Sequence, residues 1–348
     1  MSDERIVSPD ELEAERVADT ALRPRTLDDF VGQAAIKNQV RILIEAARQR
    51  GDALDHVLLY GPPGLGKTTL AQIIAVEMGV NVRLTSGPAL EHQGMLASIL
   101  TSLEERDVFF IDEVHRLNRA VEEALYPAME DLAFDFVAGK GAGAQTLRLT
   151  LNRFTVIGAT TRAGALGAPL RDRFGVTFRL DFYDTDDLVA IANRSARLLG
   201  IELEPEGAAM IARRSRGTPR IVNRLLRRAR DYAQVRAEGR IDVGVAAAAL
   251  DVLGIDSIGL DELDRRVLNV LCGTLGGHAV GVQTIAVSVQ EDPDTIEDVV
   301  EPFLIRRGLL ARTLRGRLAT AAAYEHLGLS VPAGAPGASE AQTALFER

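Results

Sequence analysis

Apolar and polar positions along this chain switch repeatedly between the period of a strand and the period of a helix. Strand-like runs fall at 57–60, 81–85, 108–111 and 154–159. Segments with helical spacing lie near 67–78, 90–103 and 118–130, and an earlier helix starts near Ala34. Strands that alternate with helices predict an α/β fold, a parallel sheet covered on both faces. Between Phe134 and Leu151 a glycine-rich polar stretch, 139–146, is flanked by alternating residues, which predicts a protruding β-hairpin over 134–149. From 184 to 254 the pattern is helical, with Gly200, Gly217 and Gly239 marking helix ends. Further on, helices near 260–272, 282–290 and 294–307 precede a short arginine-bearing hairpin at 309–320. Three helices and a hairpin predict a winged-helix variant of helix-turn-helix.

These changes of pattern divide the chain into a flexible charged N-terminus (1–20), a large α/β domain (21–183), a small helical domain (184–255), a winged-helix domain (256–330) and a disordered tail rich in Ala, Pro and Gly (331–348). A length of 348 residues agrees with several domains rather than one core. The net charge of −9 excludes a globally basic nucleic-acid coat, so any such contact must use a local patch. A single cysteine, Cys272, excludes an internal disulfide and fits a reducing cytoplasm. The opening Met-Ser-Asp-Glu-Arg lacks an apolar signal core, and no apolar run approaches a membrane span.

The most specific chemistry lies at 61–69, Gly-Pro-Pro-Gly-Leu-Gly-Lys-Thr-Thr. Gly61, four residues, then Gly66-Lys67-Thr68 is a phosphate-binding loop, and it sits between a predicted strand and a predicted helix, the context the pattern requires. Glycines let the backbone wrap phosphate oxygens, and its amides point inward at a helix N-terminus. Gly61, Gly64, Gly66, Lys67, Thr68 and Thr69 are thus candidate ATP ligands, with Lys67 reaching the β- and γ-phosphates and Thr68 ligating Mg²⁺. The run 108–113, Val-Phe-Phe-Ile-Asp-Glu, places two carboxylates at the C-terminal end of a central strand, where open α/β sheets bind ligands. There Asp112 holds Mg²⁺ through its water shell, and Glu113 polarises the attacking water as a general base. The strand at 154–159 ends in Thr160-Thr161, either of which offers a hydroxyl to the γ-phosphate or the water. Leu170-Arg-Asp-Arg-Phe-Gly carries Arg171 and Arg173, candidates to complete a neighbouring subunit's site. Arg220, after Gly217-Thr-Pro, starts a helix and is the best placed of ten arginines between 213 and 240 to reach back to the phosphates.

This constellation resembles the AAA+ ATPases. Leu22-Arg-Pro-Arg-Thr, Gly-Ala-Thr-Thr-Arg-Ala-Gly at 158–164, Leu-Arg-Asp-Arg-Phe-Gly, and the string Arg-Gly-Thr-Pro-Arg-Ile-Val-Asn-Arg-Leu-Leu-Arg at 216–227 narrow it to the RuvB family, bacterial motors of Holliday junction branch migration. The resemblance covers about 20–330. It implies an AAA+ P-loop domain, a helical lid and a winged-helix head. It makes Thr161 the sensor of the γ-phosphate, with Thr160 second to it, and Arg173 an arginine finger acting in trans, ahead of Arg171. Arg220 becomes a second sensor, Leu22 and Arg23 line the adenine side, and Tyr183 sits near the base. The implied setting is cytoplasmic DNA recombination, repair and the SOS response. The implied partners are duplex and four-way-junction DNA, the RuvA protein docked on the 134–149 hairpin, the RuvC resolvase, and five further copies in a hexamer; no membrane is involved.

The winged-helix region is acidic overall, with seven arginines against ten acids over 258–330, yet no acid falls between Pro302 and Tyr324. Arg306, Arg307, Arg312, Arg315 and Arg317 are therefore expected to form one basic edge suited to phosphate contacts, with Arg312, Arg315 and Arg317 of the hairpin as the DNA ligands. The hairpin lacks aromatics, so it suits sequence-indifferent backbone binding. Two rival readings are a clamp-loader-like ATPase and an ATP-switched DNA-binding protein without motor activity. Clamp loaders usually carry Ser-Arg-Cys where this chain has Leu-Arg-Asp-Arg-Phe and end in a helical collar, and Glu113 beside Asp112 favours turnover over a passive switch.

Overall fold

A computed structural model of the chain describes residues 21–138, 145–275 and 277–332. The expected flexible N-terminus, the tip of the 134–149 hairpin and nearly all of the expected disordered tail lie outside these residues. The described residues form two compact units, one drawn from 21–191 with 218–220, the other from 192–217 with 221–332.

In the first unit, helix α1 (Ala34–Arg50) precedes β1 (Val57–Tyr60), α2 (Lys67–Met78), β2 (Val82–Ser86), α3 (Gln93–Thr101), β3 (Val108–Asp112) and α4 (Arg119–Asp131). A hairpin, β4 (Ala133–Ala138) and β5 (Gln145–Thr150), separates these from β6 (Thr155–Thr160) and β7 (Val176–Arg179). The sheet is wholly parallel, in the order β2-β3-β6-β1-β7. Its central strands are continuous apolar runs because both faces are covered: Val57 to Leu59, Phe109 to Ile111 and Val156 to Ile157 are each no more than 1% exposed. Burying side chains of this size contributes roughly 1.5–3 kcal/mol apiece. The sequence missed β7, a four-residue edge strand of Val-Thr-Phe-Arg whose inner face buries Phe178 alone. Helix α3 is shorter than expected because the His92 side chain caps it, accepting the Met95 amide hydrogen at 3.2 Å.

The strand order places the chemistry. Strand β6 lies between β1 and β3, with Tyr60 beside Thr160. The loop leaving β1, the Asp112 end of β3 and the Thr160 end of β6 therefore open at one edge of the sheet, the C-terminal edge.

In the second unit the helical region contains the rest of α5 (Thr185–Leu199), then α6 (Pro205–Arg214), α7 (Pro219–Arg236) and α8 (Val243–Val252). Two dipeptide strands absent from the sequence reading, β8 (Glu202–Leu203) and β9 (Arg240–Ile241), pair in parallel. Helices α9 (Glu262–Asn269), α10 (Val282–Val289) and α11 (Glu301–Arg306) follow, then the hairpin β10 (Leu310–Thr313) and β11 (Gly316–Ala319), closed by a further helix, α12 (Ala321–His326). Leu263, Val267, Ile285, Val300, Leu304 and Leu310 form their shared core. Asp261 and Asp264 make a reciprocal capping box at the start of α9. The same pair binds the buried Arg216, whose guanidinium also lies 4.3 Å from the Phe303 ring centre.

Candidate active site

The phosphate loop is shaped by positions where only glycine fits. Gly61 has φ +145°, and a Cβ there would stand 2.3 Å from the Leu180 carbonyl oxygen. Gly66 has φ +98° and caps α2, where a Cβ would meet the Phe30 ring at 3.1 Å. The result is a concave backbone that leads straight into the N-terminus of a helix of 12 residues. Lys67, 7% exposed, donates hydrogen bonds to the carbonyls of Gly61 at 2.8 Å and Pro62 at 2.9 Å. Burial is the main cause that pushes its ammonium down to about 8, with Arg220 acting in the same direction and Asp112 and Glu113 opposing. Arg220 is therefore close enough to be felt at the loop.

Across the loop, the Thr68 hydroxyl donates to Asp112 Oδ2 at 3.2 Å, and Asp112 Oδ1 accepts the Glu113 amide hydrogen at 2.9 Å. Glu113 turns out of β3 with φ +48°, so its side chain leaves the sheet beside that of Asp112. Burial first, and the Asp112 charge second, raise the Glu113 carboxyl above the usual range; Lys67 and the Thr161 hydroxyl oppose this. Thr161 donates to Glu113 Oε2 at 3.4 Å. Thr160 is fully buried and turned instead to His115, Oγ1 to Nδ1 2.8 Å. The two candidate threonines are thus separated by geometry, and Thr161 is the one beside the carboxylate. His115 was not picked out from the sequence; its only signal was a histidine two residues past Glu113.

Tyr183 is 7% exposed, and its hydroxyl donates to the Leu65 carbonyl at 3.1 Å, directly against the loop. Leu22 is buried, Arg23 half-buried, and the 22–33 segment reaches the loop through Phe30, a contact the sequence reading did not anticipate. The donor set suits a nucleotide and a hard cation: a glycine-shaped amide cradle, a buried ammonium bonded to carbonyls, and a hydroxyl on a carboxylate. Among the described residues no cluster of three or more His, Cys, Asp or Glu forms a metal site.

Three family models match in sequence: the Holliday junction DNA helicase RuvB P-loop domain over 22–180, the RuvB AAA lid domain over 183–256, and the RuvB C-terminal winged helix domain over 257–328. The chain belongs to the RuvB family. Curated relatives include the Holliday junction branch migration complex subunit RuvB of Dehalococcoides mccartyi, 58% identical over 94% of this chain and 93% of that protein. The subunit of the same name from a Nocardioides strain is 60% identical over 91% and 88% of the two. Among solved structures, the Thermotoga maritima RuvB Holliday junction branch migration motor is 49% identical, with a TM-score of 0.82 over 90% of this chain and all of that one. The nucleotide-binding α/β domain, the lid and the winged helix are therefore those of an AAA+ P-loop ATPase of RuvB type.

Within this RuvB framework not every expected residue joins the loop. Arg173 is folded onto α4: its guanidinium lies 4.2 Å from the Tyr126 ring centre, pairs with Glu130 at 3.0 Å and donates to the Pro169 carbonyl at 2.5 Å. Arg171 is exposed. The basic edge expected on the RuvB winged helix is also corrected. Arg306 donates to the Arg216 carbonyl, and burial lowers its ionisation to about 10. Arg307 donates to the Ile258 carbonyl at 2.8 Å. Arg317, on the inward face of β11, is 8% exposed and bonded to Glu301 at 2.5 Å and Glu297 at 2.6 Å. Arg306 and Arg317 are thus withdrawn from the expected edge, while Arg307, Arg312 and Arg315 are exposed. Arg312 is exposed with a long 3.4 Å contact to Glu297, and Arg315 stands at the hairpin tip beside Leu314, itself 95% exposed.

Proposed function

We propose that this chain is the ATP-driven motor subunit that moves Holliday junctions along DNA, working in the cytoplasm during recombination and repair. The observation that carries the chemistry is the joint placement of Lys67, Thr68, Asp112, Glu113 and Thr161 at one edge of the sheet. The loop amides and Lys67 bind the phosphates, while Thr68 and Asp112 hold Mg²⁺, which when bound neutralises phosphate charge. Glu113, held above the usual carboxylate range by its surroundings, orients the attacking water and accepts its proton. Thr161 hydrogen-bonds the γ-phosphate, and Arg220 senses it from the Gly-Thr-Pro turn. Leu22, Arg23 and Tyr183 border the base.

Arg173 supplies charge stabilisation to the next subunit of a hexameric ring rather than to its own. Within its own chain the Arg173 guanidinium is held by Tyr126, Glu130 and the Pro169 carbonyl, and none of these partners belongs to the phosphate loop, which supports this reading. Arg312 and Arg315 contact the DNA backbone, and the β4–β5 hairpin docks RuvA, with RuvC joining the complex. The test is dissociation of a synthetic four-way junction by the full chain with RuvA. ATP should drive it, and Glu113→Gln should still bind ATP while slowing turnover by about 10²-fold or more. Junction binding that responds to ATP without any strand movement would instead favour the switch reading.

A further inference from the structure

Both threonines at the end of β6 reach the same carboxylate, by different routes. Thr161 contacts Glu113 Oε2 directly at 3.4 Å. Thr160 does so through His115, whose Nδ1 lies 2.8 Å from Thr160 Oγ1 and whose Nε2 lies 3.4 Å from the same Oε2. The imidazole is firmly placed: its side chain is 9% exposed, and it sits on the single helical turn Val114–Arg116, closed by the Arg116 amide on the Glu113 carbonyl at 2.8 Å. Thr160 Oγ1 accepts the Arg162 amide hydrogen at 3.0 Å, and we take its own proton to point at Nδ1. A neutral ring with an acceptor at Nδ1 carries its proton on Nε2, facing Glu113.

We propose that His115 is a positioning residue for ATP hydrolysis: it ties the Glu113 carboxylate to the strand that carries the γ-phosphate contact. The inference rests on the reading of Glu113 as the water-orienting base. Glu113 turns out of its strand, so it needs lateral partners to hold one rotamer. Thr161 and His115 supply them from two directions. Because Thr160 and Thr161 are adjacent, any shift of the β6 end moves both partners together. Small misplacements of a catalytic group cost up to about 10²-fold in rate.

Two substitutions separate this role from a purely structural one. His115→Asn keeps an acceptor, its side-chain oxygen, near the Nδ1 position for the Thr160 hydroxyl but leaves nothing at Nε2. His115→Gln places an N–H near Nε2 instead. In the full chain with DNA, His115→Asn should lower kcat by about 10- to 100-fold with KM for ATP within about threefold, and His115→Gln should recover most of that loss. Binding of fluorescent ADP and the thermal midpoint without nucleotide should match the parent in both. In a Glu113→Gln background, His115→Asn should add nothing further. Equal losses in the two variants, or losses that multiply in the double variant, would overturn the proposal. If Glu113→Gln itself leaves turnover unchanged, the reading of Glu113 fails first and this inference with it.

Discussion

Lys67 in the phosphate loop and Arg317 in the winged helix are both buried cations, and they are buried in opposite company. Lys67 is bonded to two carbonyls of its own loop, with no carboxylate of the described residues in ion-pair range, and its ionisation falls to about 8. Arg317 is bonded to two carboxylates, and its ionisation rises: the Glu301 and Glu297 bonds outweigh the burial that would lower it. A buried charge bonded to nothing but dipoles is costly to the folded protein and has its attraction in reserve for an anion. A buried charge with its counterions at hand has spent that attraction on the fold. The contrast separates a ligand-binding cation from a structural one without reference to sequence motifs.

The comparison breaks most visibly at Lys67. Lys67→Ala should reduce ATP hydrolysis by on the order of 10³-fold, a loss of phosphate and transition-state contacts measured in a steady-state assay. The nucleotide-free variant should be at least as stable as the parent at pH 7. The ammonium is disfavoured in the fold, so its cost is present below about 8 and fades as pH rises toward the ordinary 10.5. A lower midpoint for the variant at pH 7 would mean that the carbonyl bonds matter more than the burial.

Arg317→Ala should act in the reverse sense. It strands Glu301, 2% exposed, and should destabilise the winged-helix region by about 3–5 kcal/mol in denaturant unfolding while leaving ADP binding intact. A variant of parental stability that loses only DNA affinity would restore Arg317 to the DNA edge expected from the sequence.

The smallest effects belong to the hairpin tip. Arg312→Ala and Arg315→Ala should leave stability within about 0.5 kcal/mol. Each should weaken DNA binding without regard to sequence and reduce the salt slope by about one. An unchanged slope for both would move the contact elsewhere on the domain.

What was legible in the sequence follows the range of the interactions involved. The loop was readable because glycine spacing dictates local backbone geometry, and helix α2 begins at Lys67 as the pattern required. The parallel sheet was readable because its central strands are uninterrupted apolar runs. The partners of arginines were not. Arg317 is held by residues 16 and 20 positions away, and Arg306 bonds a carbonyl 90 positions away. A stretch without acids in sequence is therefore not a stretch without acids in space. The link from Thr160 through His115 to Glu113 was hidden for the same reason, since 45 residues separate Thr160 from His115. Strand β7 was missed because only Phe178 of its four residues is buried, and the pair β8–β9 because dipeptides show no period.

Arg173 is seated on α4 by Tyr126 and Glu130, residues outside the phosphate loop. The central claim is that each ATP site is completed by the neighbouring copy of the chain. Mixing Lys67→Ala subunits with Arg173→Ala subunits, each inactive alone, tests it directly. At intermediate ratios some interfaces pair an intact Lys67 with an intact Arg173, so ATP turnover should reappear and peak near an equal mixture. Turnover that stays at the level of the separate variants at every ratio, in rings shown to contain both, would contradict it.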